Sequence, residues 1–302
     1  MNQPSVATIG FFDGVHIGHR FLIDRLNRIA GQKGLPSMII TFPVHPRKIL
    51  HDAYVPQLLT TFEEKMQHLA ETEPDVLYPL EFTHTMSQLS AEAFIKQILI
   101  DQLKVNTLLI GYDHRFGKGR TEGFDDYAVY GKKYGMEVVQ ADAYTFEGMQ
   151  ISSSYIRGLL RQGDIRQANK LLTYRYRLEG TVVGGRQIGR SIGFPTANIQ
   201  PGDKEKILPA IGVCAVYVWI DGIRYKGMLN IGYSPTVSTD YRLTVEVHLI
   251  DFEQDIYGKP VILEFVDYIR SELKYNSLDE LKQQLILDRE NAIKKLTLDS
   301  HP

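Results

Sequence analysis

Gly10-Phe11-Phe12-Asp13-Gly14-Val15-His16-Ile17-Gly18-His19-Arg20 is the stretch that decides the fold. An apolar run over residues 6–10 reads as a strand leading into it, and residues 20–32 read as an amphipathic helix leading out. Glycines at a strand end let backbone amides approach an anion closely. The helix N-terminus adds a dipole that favours phosphate. His16 and His19, set about the turn, bring N–H donors for phosphate oxygens. Such a cradle suits attack at an α-phosphorus, where charge builds on the equatorial oxygens and on departing pyrophosphate. It needs no serine or cysteine nucleophile.

Outward from this motif, apolar runs at 37–42, 76–80, 107–110 and 136–140 read as strands. Helical stretches separate them: one starting at Thr61, where Thr61 and Glu64 have capping-box spacing, then 91–103 and 125–133. Strands alternating with helices predict a Rossmann-like parallel sheet covered on both faces. Three further segments fall at expected carboxyl ends of strands, where open α/β sheets bind ligands. They are Thr41-Phe42-Pro43-Val44-His45-Pro46, Gly111-Tyr112-Asp113-His114-Arg115-Phe116-Gly117 and Ile151-Ser152-Ser153-Ser154-Tyr155-Ile156-Arg157. Ser152 or Ser153 also reads as a simple cap for the helix carrying Arg157.

The pattern changes near Thr173, which predicts domains 1–172 and 173–302. Short helices at 154–161 and 165–172 give way to strands at 213–220, 225–229, 244–250 and 261–268, and a helix closes the chain at 277–298. Asp221-Gly222 between the first two predicts a tight hairpin. Ser277 and Glu280 repeat the capping-box spacing. The fold class is therefore α/β plus β: a parallel sheet, then a small antiparallel β-barrel with a terminal helix.

In the second half, Gly184-Gly185-Arg186-Gln187-Ile188-Gly189-Arg190-Ser191 has Walker A spacing, but Arg190 replaces the lysine. Gly193-Phe194-Pro195-Thr196 follows, and its proline prevents the required helix. The segment reads instead as a glycine-rich flap, with Gly185 and Arg190 over phosphates and Thr196 and Asn198 as oxygen ligands for Mg²⁺. A turn-rich strand connection is the plainer alternative. Val245, Val247 and Leu249 alternate with Glu246 and His248. On that pattern alone Glu246 reads as a solvated position rather than a carboxylate aimed into a pocket, and His248 as structural.

These motifs together resemble the prokaryotic FAD synthetases, the bifunctional riboflavin kinase/FMN adenylyltransferases, from Thr8 to about Leu287. The segment from Gly10 to His19 is similar to their nucleotidyltransferase signature. Phe42 to Pro46 and Ile151 to Arg157 match two more of their segments. Gly193 to Asn198 (GFPTAN) resembles the riboflavin kinase signature. Asn230 to Thr236, Glu246 to Phe252, Asp255 to Gly258 and Arg270 to Tyr275 follow it. The family usually has an aromatic where His114 stands, phenylalanine at Val237 and Tyr275, and tyrosine at Cys214.

The resemblance implies two ATP-dependent reactions, phosphorylation of riboflavin to FMN and adenylylation of FMN to FAD. It implies His16, His19 and Arg157 as catalytic groups for the second reaction and Glu246 as base for the first. ATP contacts are implied at Gly10, Phe11, Phe12, Asp13, Gly14, Gly18, Ser152, Ser153, Gly185, Arg190, Gly193, Pro195 and Asn230. Flavin contacts are implied at Phe42, His45, Pro46, Asp113, Arg270 and Glu272, and Mg²⁺ ligands at Thr196 and Asn198.

Bulk properties agree. The 302 residues fit two domains, and 43% hydrophobic with 23% charged residues is ordinary for a globular protein. A formal net charge of −2 with no basic stripe argues against nucleic-acid or membrane partners. Cys214 is the sole cysteine and reads as a buried strand residue, so no intrachain disulfide forms. The first residues lack a basic start followed by an apolar run, which predicts a cytoplasmic protein. A homo-oligomer is compatible with all of this.

Overall fold

The computed structural model describes residues 3–50, 53–185, 189, 192–235 and 241–299. Arg186, Gln187, Ile188, Arg190, Ser191, Thr236 and Val237, all quoted above, lie outside the described residues. The chain forms two compact units, Met1–Ser153 and Ser154–Pro302.

In the first unit β1 (Ser5–Ile9) leads to α1 (Ile17–Lys33) and β2 (Ser37–Thr41). After α2 (Pro46–Leu50) come α3 (Phe62–Ala70) and β3 (Val76–Pro79). Thr61 caps α3 as its sequence predicts: its hydroxyl accepts from Glu64 N–H and the Glu64 carboxylate accepts from Thr61 N–H. The expected helix at 91–103 starts, after α4 (His84–Ser87), as α5 (Ala91–Phe94) and then widens into a π-helix over Ile95–Gln102. β4 (Val105–Ile110), α6 (Phe124–Tyr134) and β5 (Glu137–Gln140) complete the sheet. A small hairpin, β6 (Thr145–Phe146) with β7 (Met149–Gln150), was not legible in the sequence.

The sheet order is β3-β2-β1-β4-β5, and every pairing is parallel. Its order reverses between β1 and β4, so their carboxyl ends form the crevice where such sheets bind ligands. Side chains alternate between two cores. Ala7, Met38, Ile40 and Leu108 pack with the π-helix residues Ile95 and Leu99 on one face. Val6, Ile39 and Leu109 pack with Ile23 and Leu26 of α1 on the other.

α7 (Ser153–Gln162) and α8 (Ile165–Leu172) come next, and α8 packs on a strand of the barrel. The Asn169 amide donates to Phe265 O at 2.8 Å, and Arg166 pairs with Asp267 at 2.8 Å. β8 (Arg177–Val183), β9 (Ala197–Pro201), β10 (Gly212–Ile220), β11 (Ile223–Pro235), β12 (Tyr241–Leu249) and β13 (Pro260–Arg270) follow. They close a six-stranded antiparallel barrel in the order β10-β11-β12-β9-β8-β13. The β10–β11 turn has φ 51° at Asp221 and 78° at Gly222, as a primed two-residue hairpin requires. α9 (Leu278–Thr297) covers one outer face of the barrel through Ala292 and Leu296 against Val213, Ala215 and Tyr217. Ser277 caps α9, but Glu280 receives the N–H of Asn276 rather than that of Ser277. Among the described residues no helix is long and apolar enough to cross a membrane.

Candidate active sites

At the crevice of the first unit, the loop from Gly10 to His16 is tightly wound. Phe12 has φ 55° and Val15 φ 37°. A β-branched residue at positive φ is costly and is kept only where its surroundings enforce it. Asp13 supplies part of that enforcement. Its Oδ1 accepts from the N–H groups of Leu59 at 2.9 Å and Thr60 at 3.2 Å. The Gly14 N–H donates to Thr60 Oγ1 at 3.1 Å. The Asp13 side chain thus anchors the loop, and its carbonyl accepts from Ser153 Oγ at 2.9 Å. That bond brings the 151–153 segment, with Ser152, beside the cradle.

His16 occupies the N-cap position of α1 and is buried. Its ring stacks on that of His19 with centroids 3.7 Å apart. Gly18 makes the stack possible, because a Cβ there would press on the His16 ring at 3.3 Å. His19 also meets Phe12 edge-on at 5.2 Å. Burial, then His16, then Lys65 hold the His19 imidazole well below its usual range. Two neutral rings can stack; two imidazolium ions would repel.

The flavin-assigned residues divide. His45 lies between Phe11 (4.6 Å) and Tyr54 (5.4 Å), and Pro46 opens α2. The Phe42 ring is buried and packs on Phe82 within the core. Its carbonyl accepts from Lys65 Nζ at 2.8 Å. Asp113 is exposed after β4. Next to it, burial and then Arg120 push the His114 imidazole down to about 4, against the pull of Asp113. Nε2 of His114 is buried without a hydrogen-bond partner among the described residues. Arg157 lies on α7 of the second unit, where it donates to Ser154 Oγ at 2.8 Å.

In the barrel, strand register assembles the site. Arg270 pairs with Val213, Val213 with Asn230, Asn230 with Glu246, and Glu246 with Asn198. Directly paired residues share a face, so β13, β10, β11, β12 and β9 present one row of side chains. Glu246 is half-buried, and it lines a cavity of about 260 Å³ with Thr196, Asn230, Arg270 and Glu272. The solvated reading of Glu246 from alternation fails, because this outer face of the barrel is roofed by α9 and by Gly189, Ile192 and Phe194. A second cavity of about 440 Å³ is lined by Pro195, Thr196, Ala197 and residues 252–257. Thr196 belongs to both, and its hydroxyl lies 3.5 Å from Glu246 Oε2. Gly193, at φ 88°, turns the chain into this segment. Gly185 faces the Asn198 amide so closely that a Cβ would overlap it at 1.9 Å.

His248 is structural, as its sequence position predicts. Its Nδ1 lies 2.8 Å from the Pro195 carbonyl, and burial lowers its pKa more than that bond raises it. Asp288 and Lys65 were not singled out in the sequence, whereas most of the 252–257 loop falls in the family-like segments quoted above. Asp288 of α9 is wholly buried and binds Arg270 through contacts of 2.6, 2.9 and 3.1 Å. The 252–257 loop lines the larger cavity. Lys65 is buried beside the first cradle. A charged residue inside a helix such as α3 reads as solvated, and only the tertiary packing reveals otherwise.

The FAD synthetase family model matches residues 1–155, and the riboflavin kinase model matches residues 172–296. The chain belongs to the bifunctional riboflavin kinase/FMN adenylyltransferases. It is 37% identical to such an enzyme of Listeria monocytogenes, over 95% of this chain and 91% of the other. For Bacillus subtilis the identity is 38% over 96% and 92%, and for Escherichia coli strain K12 36% over 96% and 92%. A crystal structure described as a macrolide-efflux protein from Streptococcus pneumoniae superposes with a TM-score of 0.87. It is 32% identical and covers 97% of this chain and 94% of the other. As a family member the chain makes FMN from riboflavin and FAD from FMN, with ATP as co-substrate. The kinase belongs to the barrel and the adenylyltransferase to the parallel sheet.

Proposed function

We propose that Glu246 is the base of the kinase reaction and that His16, His19 and Arg157 carry the adenylyl transfer. The observation that supports the first assignment is the strand row that puts Arg270, Asn230, Glu246 and Asn198 on one face. Riboflavin enters the smaller cavity and ATP the larger, meeting at Thr196. Glu246 takes the proton from the ribityl 5′-hydroxyl as that oxygen bonds to the γ-phosphorus and the bond to the ADP oxygen breaks. Gly185, Arg190, Gly193 and Pro195 surround the nucleotide, Asn230 reaches it from the smaller cavity, and Arg270 and Glu272 border the flavin.

Thr196 and Asn198 offer neutral oxygens beside the Glu246 carboxylate, a donor set that suits a hard cation. These two residues would hold Mg²⁺, which would offset charge on the phosphates. Thr196→Val should raise the Mg²⁺ concentration needed for half-maximal FMN formation and leave FMN-to-FAD conversion alone. An unchanged Mg²⁺ dependence of the kinase would remove Thr196 from the metal site.

In the first unit the FMN phosphate is already an anion and needs no base. Its oxygen attacks the α-phosphorus of ATP and pyrophosphate leaves. His16 and His19 donate to the phosphates, with Gly10, Phe11, Phe12, Asp13, Gly14, Gly18, Ser152 and Ser153 forming the wall and Arg157 adding charge. Phe42, His45, Pro46 and Asp113 border the flavin. We set the functional boundary at 172/173, which the span of the kinase family model supports. We also propose a cytoplasmic enzyme, consistent with one free, buried cysteine.

A further inference from the structure

Lys65 is 2% exposed, in the middle of α3. Burying an ammonium is costly, and an unbranched apolar side chain of similar length would fill the same space without that cost. Its Nζ donates to the Phe42 carbonyl at 2.8 Å and lies 3.9 Å from the centroid of the Phe11 ring. Phe11 follows β1 inside the phosphate cradle and turns an edge to His45. Phe42 follows β2 and begins the segment assigned to the flavin. One ammonium therefore touches both substrate-facing segments through a charge-assisted hydrogen bond and a cation–π contact. Among the described residues the Phe42 carbonyl is its one hydrogen-bond acceptor.

We propose that Lys65 is a positioning residue for adenylyl transfer, clamping the end of β1 to the end of β2 so that ATP and FMN meet in register. The proposal rests on the reading of this crevice as the adenylyl-transfer site. Because a misplacement of about 1 Å can cost 10²-fold in rate, such a clamp has kinetic leverage.

The clamp has a pH signature. Burial lowers the Lys65 pKa from 10.5 to about 8, while Asp13 on the cradle loop pulls it up. His19 faces it from the first turn of α1, His45 lies beyond the Phe11 ring, and Glu64 and His68 flank it on α3. As pH rises through about 8 the folded chain loses the ammonium and the cation–π contact goes. Stability moves the other way. Between about 8 and 10.5 the unfolded chain still holds the proton that the folded chain has released, so folding is favoured by rising pH. A residue that served only the fold would not lose activity across a window in which the fold gains.

The test uses the full chain with Lys65→Met and Lys65→Arg, assaying FMN to FAD from pH 6 to 10 and riboflavin to FMN in parallel. For Lys65→Met we expect kcat/KM for FMN to fall by at least about tenfold. Its alkaline limb near pH 8 should disappear, kinase activity should stay unchanged and the melting temperature should not drop. Lys65→Arg should restore most of the rate and carry the alkaline limb past pH 10. A Lys65→Met enzyme with the wild-type rate, or one that keeps the limb near pH 8, overturns the proposal. If Lys65→Met fails to fold, an unmoved limb in Lys65→Arg does so equally. His19→Ala is the control: should it also retain FAD synthesis, the site reading fails rather than the clamp.

Discussion

The two phosphate-handling sites of this chain are built by opposite means. The crevice of the parallel sheet is made at the ends of strands, from a strained loop, buried imidazoles and backbone groups. The barrel site is made along strands, from side chains that register sets in one row. A loop-end site depends on local strain and burial, so its groups have shifted titration and its residues are held from behind, as Asp13 is by Leu59 and Thr60. A strand-row site depends on pairing, so its residues are fixed as long as the barrel is closed.

The hardest break to the barrel side is Glu246→Gln. It keeps shape and hydrogen bonding but removes the base, so FMN formation should fall by about 10²–10⁴-fold. Riboflavin binding and FMN-to-FAD conversion should hold. A kinase that survives this change takes the base role from Glu246. On the crevice side, His19→Ala removes one donor to the phosphates and should lower FAD formation by about 10²–10³-fold, by analogy with deleting one preorganised donor. FMN formation should continue. Loss of both products would indicate damage to folding and blur the contrast.

The smallest effect separates the sites by protonation. Folded His114 takes its proton only near 4, whereas the unfolded imidazole takes it near 6.5. Between these values the unfolded chain holds the extra proton, so stability present at neutral pH is lost as pH falls. His114→Phe should relieve this by on the order of 1 kcal/mol at pH 5 and leave pH 8 unchanged. Urea unfolding at the two pH values, followed by circular dichroism, reads the difference. Equal shifts at both would assign the gain to packing alone.

The sequence was most informative where structure is local. The Thr61–Glu64 cap, the Asp221-Gly222 turn and the strand that delivers Gly10 rest on neighbouring residues, and each stands as read. Residues 91–103 have a helical pattern, but periodicity does not reveal that the helix widens to a π-helix from Ile95. Glu246 looked solvated because alternation reports only its own strand, and the roof over it comes from α9 and from Gly189, Ile192 and Phe194. Lys65 and Asp288 look like surface charges on amphipathic helices for the same reason. Their partners, Phe42 and Arg270, are distant in sequence, and only the closed fold brings them together.

The Asp288–Arg270 lock has a consequence for how the enzyme comes into being. Ribosomes deliver the chain from its amino end, and domains fold as they emerge. The parallel sheet and the loop from Gly10 to His16 draw on residues no later than Ser153. Arg270, which lines the barrel cavity, is held by Asp288 of α9, the last element of the second unit. A nascent polypeptide can thus close its parallel sheet before the residue that locks Arg270 has been made.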